Sequence, residues 1–374
     1  MSGPGHSLRR DYLFWTLLGL LVLFSALHPA GLLVYPALVD WSTIATLTGL
    51  LLLTAGIEAS GFLHQLAARI LQVVPDERRL ALFLLAASAL LASLLTNDIA
   101  LFIMVPLTLS LRQNTPLPVA RLVVFEAFAV NTGSMLTPIG NPQNIYLWQL
   151  SGVHFHEFVA AMLAPTLISA ACLLAFTWMA FRPKALHLGG LSVSAPVQHS
   201  MLYVSALLFV PFLVLADLRH TGIALAVVAA VFLLFYRRVL RRLDWPLLVV
   251  FVLMFVDLRL IGELPWVRDA LGRLDLARPL TLFGTGAVLS QVMSNVPATI
   301  LLSQYSHDWR SLAWGVDLGG FGLVIGSLAS LIALRLGRQS GSLWLFHAWS
   351  LPFFLCTGVC TGLWLAFTAG KIPA

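Results

Sequence analysis

The residues best suited to chemistry in this chain are uncharged. In Met135-Leu136-Thr137-Pro138-Ile139-Gly140-Asn141-Pro142-Gln143-Asn144, Pro138 removes a backbone donor, Gly140 permits an unusual turn, and Pro142 pushes Asn141 away from helical dihedrals. A helix running through this segment must break. The break exposes carbonyl oxygens on one side, suited to a small cation, and free N–H groups at the start of the next half-helix, suited to an anion. Asn97, Asn141, Asn144 and Asn295 add side-chain amides that donate or accept. Together they can hold a cation and an anion side by side. Reading the prolines as simple kinks and the asparagines as interhelical glue covers Pro138 but leaves Gly140-Asn141-Pro142-Gln143-Asn144 unexplained.

The elements that carry these residues must cross a membrane. Of 374 residues, 59% are hydrophobic and 10% charged, with a mean hydropathy of +0.91, which excludes a soluble domain, a disordered chain and a secreted disulfide scaffold. The net charge of +6 does not mark a nucleic-acid partner, because the arginines are spread between apolar stretches. Nine crossings are expected, near 12–28, 42–60, 121–148, 157–181, 201–217, 221–236, 246–257, 312–334 and 343–369, with an amphipathic interfacial helix over 61–74. The first follows Arg9 and Arg10 but lacks a small-x-small cleavage site, so it reads as retained.

Two apolar stretches do not fit simple crossings. Residues 80–111 are interrupted at Thr96-Asn97-Asp98 and residues 279–305 at Ser294-Asn295, leaving arms too short to span. Non-helical backbone at membrane depth must be buried or line a watery cavity, so both stretches are expected to be re-entrant hairpins. With the amino terminus inside, the inner loops hold 15 of the 22 basic residues, including the run Arg237-Arg238-Val239-Leu240-Arg241-Arg242, as the positive-inside rule requires. The carboxyl terminus then lies outside.

The two interruptions belong to a repeat. An offset of 198 lays 96–106 over 294–304 and matches Asn97 with Asn295; an offset of 186 lays 135–148 over 321–334 and matches Ile139-Gly140-Asn141 with Ile325-Gly326-Ser327. An offset of 201 lays 56–61 over 257–262. The order is the same in both halves, while the hairpins enter from opposite sides. The expected fold is therefore an all-α polytopic membrane protein of two inverted-topology repeats, 1–190 and 191–374, each with a hairpin and a broken helix.

Among charged groups, Asp98 stands out, because a carboxylate at a hairpin tip near the midplane is costly unless paired, hydrated or protonated. It could hold sodium, with Asn97 and Asn141, or carry the coupling proton, or cap the second arm. Glu58, Glu126 and Asp257 are further candidates for proton or cation coupling. No resident metal or cofactor is expected: Cys356 and Cys360 lack nearby ligands, Cys172 is isolated in sequence, and His154, His156 and His347 read as loop or packing residues. Trp41, Trp148, Tyr203, Trp245 and Trp309 read as interfacial anchors. A phosphate-binding glycine loop, a nucleophile–base pair and paired helical histidines are all missing, so no enzyme is expected.

The segments Thr96–Pro106, Leu136–Trp148 and Ser294–Leu302, with Gly56–Ala67 before them, resemble the paired motifs of the ion transporter superfamily, in the branch of arsenite permeases, sodium/proton antiporters and citrate-transporter-like anion permeases. The resemblance implies an elevator-type homodimer in a membrane, and a bacterial inner membrane is the expected location. It implies one half-site from Thr96, Asn97, Asp98, Asn141 and Asn144, to which the hydroxyl of Thr137 is added, and another from Ser294, Asn295, Gly326 and Ser327, with Gly140 shaping the first break. The function it implies is ion-coupled transport of a small anion driven by Na+ or H+; the alternative is a sodium/proton antiporter or an arsenite/antimonite efflux permease. Where sodium-coupled dicarboxylate relatives carry Ser-Asn-Thr at both tips, this chain reads Thr-Asn-Asp and Ser-Asn-Val, which departs from a symmetric pair of sodium sites.

Overall fold

The computed structural model describes residues 12–27, 29–63, 65, 76–111, 117–186, 197–241, 243–337 and 342–368. Among them the regular elements are helices, and the sole β-type pairing is an isolated bridge between Asp76 and Ala185. The first half contains α1 (Tyr12–Leu27), α2 (Tyr35–Leu38), α3 (Trp41–Ala59), α4 (Glu77–Leu94), α5 (Asn97–Leu111), α6 (Val119–Ser134), α7 (Pro142–Ser151) and α8 (Phe155–Ala180). The second contains α9 (His199–Asp217), α10 (Thr221–Phe235), α11 (Arg237–Leu240), α12 (Trp245–Gly262), α13 (Pro265–Gly272), α14 (Pro279–Met293), α15 (Asn295–Leu302), α16 (Trp309–Gly319), α17 (Leu328–Gly337) and α18 (Ser342–Thr368). Five helices, α3, α8, α9, α12 and most of α18, are long and apolar enough to cross a membrane.

Boundaries differ from the sequence reading in two places. The crossing expected over 246–257 is α12, which runs on to Gly262, because Asp257 and Arg259 do not end a helix whose apolar contacts continue. Asn97 and Asp98 do not lie in the first interruption but open α5, so the break narrows to Leu95 and Thr96. Of the interfacial helix expected over 61–74, residues 64 and 66–74 lie outside the described residues.

Helix starts follow local chemistry. Asp40, Asp76, Asp244 and Asp308 each accept the N–H three residues on, at 2.8 Å, 2.9 Å, 3.1 Å and 3.1 Å, satisfying a donor that the first turn leaves open. These caps fix where α3, α4, α12 and α16 begin.

Hydrogen bonds between loops define two faces. On one, Arg78 Nε donates to Phe181 O at 2.9 Å, Arg121 Nη1 to Ala180 O at 2.6 Å and Glu77 N to Lys184 O at 2.9 Å, joining the starts of α4 and α6 to the end of α8. On the other, Arg219 donates to Trp148 O and Val153 O, each at 2.9 Å, and Phe155 N donates to Asp217 at 2.6 Å. Thr108, near the end of α5, bonds Glu126 close to Arg121, so the free ends of α4 and α5 point to the first face. Tyr305, just past α15, bonds Gly262 O, and Trp309 stacks on Phe158, which sets the free end of α15 on the second face. Packing is reciprocal: α4 lies along α6 and α14 along α16, while α17 packs on α5 and α6, and α7 packs on α15 and α16.

Candidate functional site

The first break lies between Ser134 and Pro142. Asn141, at φ −151° and ψ 159°, caps α7 by accepting the N–H of Asn144 at 2.9 Å, and Pro142 occupies the first helical position, where its missing donor costs nothing. Asn144 turns back to the carbonyls of Ser134 at 3.4 Å and Met135 at 3.3 Å. Two bonds dock the loop on the α4–α5 pair: Thr137 Oγ1 donates to Ser93 O at 2.7 Å, and the Asn97 N–H donates to Gly140 O at 2.8 Å. Thr96, Asn97, Thr137, Asn141 and Asn144 are therefore buried in one place, with the hydroxyl of Thr96 lacking a partner.

The second break spans 320–327, where a single 3-10 turn, Val324–Gly326, interrupts the chain. Gln291 of α14 staples it by donating to Gly319 O and accepting from the Leu323 N–H, both at 2.6 Å. His347 Nε2 accepts the Val324 N–H at 3.3 Å. Ser294 alone joins α14 to α15, at φ 74° and ψ 158°, a conformation costly for any residue with a Cβ. Asn295 is buried beside it and accepts the Val296 N–H at 3.0 Å.

Each broken helix bonds the other. Asn141 Nδ2 and Gln143 Nε2 donate to Asp317 Oδ1 at 3.0 Å and 2.8 Å. In return Ser327 Oγ donates to Asn131 Oδ1 at 3.0 Å, and Asn131 Nδ2 donates to Gly320 O and Ser330 Oγ at 3.2 Å and 3.3 Å. The sequence offset of 186 converts one set into the other, pairing Asn131 with Asp317 and Asn141 with Ser327. Asp317, Asn131, Gln143 and Gln291 were not among the residues singled out from sequence. The signal for the first two was present, since the register that aligned the second broken helix with the first continues upstream through Asn131 and Asp317.

Asp98 directly follows Asn97, at the end of α5 that docks on Gly140. Asp98 is half-buried, and the charge acting on it is Asp244, the cap of α12. Glu126 accepts from Thr108, eleven residues beyond Asn97 and so about 16 Å along α5 from the break. Asp257 is buried on α12, which packs against α15 and α3, with neither oxygen bonded. Glu58 is half-buried in the last turn of α3.

Two smaller expectations change. Cys172 is not isolated: its Sγ lies 3.7 Å from that of Cys356, and all three thiols fall within 4.8 Å of one another, because α8 and α18 pack together. Trp148 is fully buried, edge-on to Phe155 and with its carbonyl accepting from Arg219, two residues past α9, rather than interfacial. At the junction the donors are amides and a serine hydroxyl and the acceptors carbonyl, amide, hydroxyl and carboxylate oxygens, a set suited to a hard cation or a proton, not to a soft metal.

The strain at Ser294 gives a direct test. Ser294→Gly should raise the thermal stability of the detergent-purified protein by about 1 kcal/mol, read from the melting midpoint; an equal or lower midpoint would show that the backbone there is unstrained.

A bundle of apolar helices, five of them long enough to cross a membrane, is the build of an integral membrane protein, and comparison with known proteins gives its class. A family model described as Citrate transporter (CitMHS) matches residues 10–319. The chain is 45% identical over 324 residues to Inner membrane protein YbiR of Escherichia coli, covering 86% of each, and 31% identical over 328 residues to Uncharacterized transporter MJ0456 of Methanocaldococcus jannaschii, covering 85% and 86%. The crystal structure of the Alcanivorax borkumensis YdaH transporter, described as having an unusual topology, shares the fold with a TM-score of 0.50 at 18% identity, covering 95% of this chain and 88% of that one. The chain is a membrane transporter. It belongs to the citrate transporter family.

Proposed function

We propose that the chain is an ion-coupled secondary transporter that moves a small anion across a bacterial cytoplasmic membrane by an elevator-type movement. Its two halves, 1–190 and 191–374, act as inverted repeats, with the α4–α5 and α14–α15 pairs as re-entrant hairpins. The observation that carries this reading is the reciprocal bonding of the two broken helices, Asn141 to Asp317 and Ser327 to Asn131. Facing free helix starts supply N–H groups to an anion, while exposed carbonyls and a carboxylate supply oxygens to a cation. The anion lies between the tips, near Asn97, Gly140, Ser294, Asn295, Gly326 and Ser327, and Na+ or H+ is the coupling ion. The amino terminus is inside and the carboxyl terminus outside. Exposed apolar side chains of α9 and α10, among them Leu207, Val210, Ile223 and Phe235, face lipid or a second copy in a homodimer.

The test is uptake into proteoliposomes across a panel of carboxylates including citrate, oxyanions and arsenite, with and without Na+ or pH gradients. The wild type should accumulate at least one anion under a gradient. Asn97→Ala and Asn295→Ala should each cut that flux more than about tenfold while inserting normally, since each removes an amide from a buried tip. Normal flux in both variants would overturn the reading, and gradient-driven exchange of Na+ for H+ without any anion would replace it with an antiporter.

A further inference from the structure

Half of the Asp317 carboxylate is unused. Oδ1 accepts the two amide donors from α7's cap and first turn, but Oδ2 is buried with no partner. Asn144 lies beside it, since its Nδ2 meets the same Ser134 carbonyl as the Asn141 Nδ2 that donates to Asp317, and it too has an acceptor to spare: its Oδ1 is buried without a donor. Two acceptor oxygens from different halves of the chain therefore sit at the junction with nothing to accept. Left so, an ionised Asp317 would be an uncompensated charge at membrane depth.

A small cation completes such a pair. Sodium would bridge the oxygens, or a proton on Oδ2 would be donated to Asn144 Oδ1. We propose that Asp317 Oδ2 and Asn144 Oδ1 hold the coupling monovalent cation, so that coupling resides at this junction and not at Asp98. The inference rests on the carrier reading and sharpens it.

The opposite half explains why there is one such site and not two. Asn131, the counterpart of Asp317, is neutral, and both its amide atoms are bonded, Oδ1 to Ser327 and Nδ2 to Gly320 and Ser330. Neighbouring elements bring no competing charge to Asp317. Helices α14 and α15 contain no acid or base, and α7 contributes only Tyr146, whose hydroxyl meets Ser303 at 2.9 Å. On α8, His156 and Glu157 lie in the first turn and Cys172 is clustered with Cys356 and Cys360 of α18. His347 of α18 bonds Val324 and Leu343, and on α16 itself Arg310 lies in the first turn, beside Trp309.

The experiment uses the purified full chain and the cation alone. Melting midpoints are recorded in NaCl against choline chloride at constant ionic strength, at acidic and at alkaline pH, because a bound ion stabilises the folded state by mass action. The wild type should show a saturable rise with Na+ at fixed pH, identifying sodium, or a rise on acidification alone, identifying the proton. Asp317→Asn should abolish that response, Asn144→Ala should weaken its half-saturation by at least about tenfold, and Asp317→Glu should restore part of it, which separates loss of a ligand from misfolding. A wild type without either response, an Asp317→Asn protein that responds like wild type, or abolition by Asp98→Asn and not by Asp317→Asn would each overturn the proposal. The readout needs no anion, so a failure to find a transported anion counts against the carrier reading and not against the cation site.

Discussion

Asn141→Ala is expected to cut gradient-driven anion flux roughly 100-fold and to destabilise the protein by about 2–4 kcal/mol. One side chain does two jobs that alanine cannot. Its Oδ1 caps α7, worth about 1 kcal/mol, and its Nδ2 neutralises part of a buried carboxylate from the other half of the chain, whose loss costs a further 1–3 kcal/mol or so. Asn141→Asp separates the roles. Aspartate is as good a cap as asparagine, so α7 should persist, but the new carboxylate would face Asp317 and the flux should still be lost. Proteoliposome uptake beside melting midpoints checks both variants. Wild-type uptake by either one would place the solute elsewhere.

Gly140→Ala and Gly326→Ala should each cost about 3 kcal/mol or more and abolish correctly folded yield at growth temperature. A Cβ at Gly140 would run into the backbone of Ser134, and one at Gly326 into the carbonyl of Gly319. The obstacle is main chain in both cases, so no side chain can swing aside. The two positions are related by the offset of 186 and do the same thing, folding the loop back on the end of the half-helix it has left. At Gly140 the cost is compounded, because its carbonyl receives the Asn97 N–H that docks the α4–α5 pair. Fluorescence-detected size-exclusion profiles and thermal melts of the two variants measure the effect; a monodisperse Gly140→Ala protein with a wild-type midpoint would show that the loop can open.

Much of the architecture is written locally. Length of apolar run, the charges between runs and the prolines at 138 and 142 depend only on neighbours in the chain, and α1, α3, α8, α9, α10 and α18 fall where these signals place them. The break at 135–141 likewise lies where Pro138 and Pro142 disfavour helical backbone, and the one at 320–327 where Gly320, Gly322 and Gly326 weaken it. The exact break beside Asn97 was less legible, because asparagine and aspartate are as content in a first helical turn as in a loop, and only the Gly140 carbonyl decides between them.

The sequence by itself determined where the long apolar helices run and that the chain breaks between Ser134 and Pro142, since dihedral preference and hydrophobic run length are short-range properties. Only the tertiary structure decided that Asp317, and not Asp98, meets the amides of the first broken helix, that Gln291 staples the second, and that Cys172 finds Cys356. Those partners are 174 to 184 residues apart for Asp317 with Gln143 and Cys172 with Cys356, and 28 for Gln291 with Gly319. A carboxylate's cost in the membrane depends on what packs around it, and no window along the chain contains both members of such a pair.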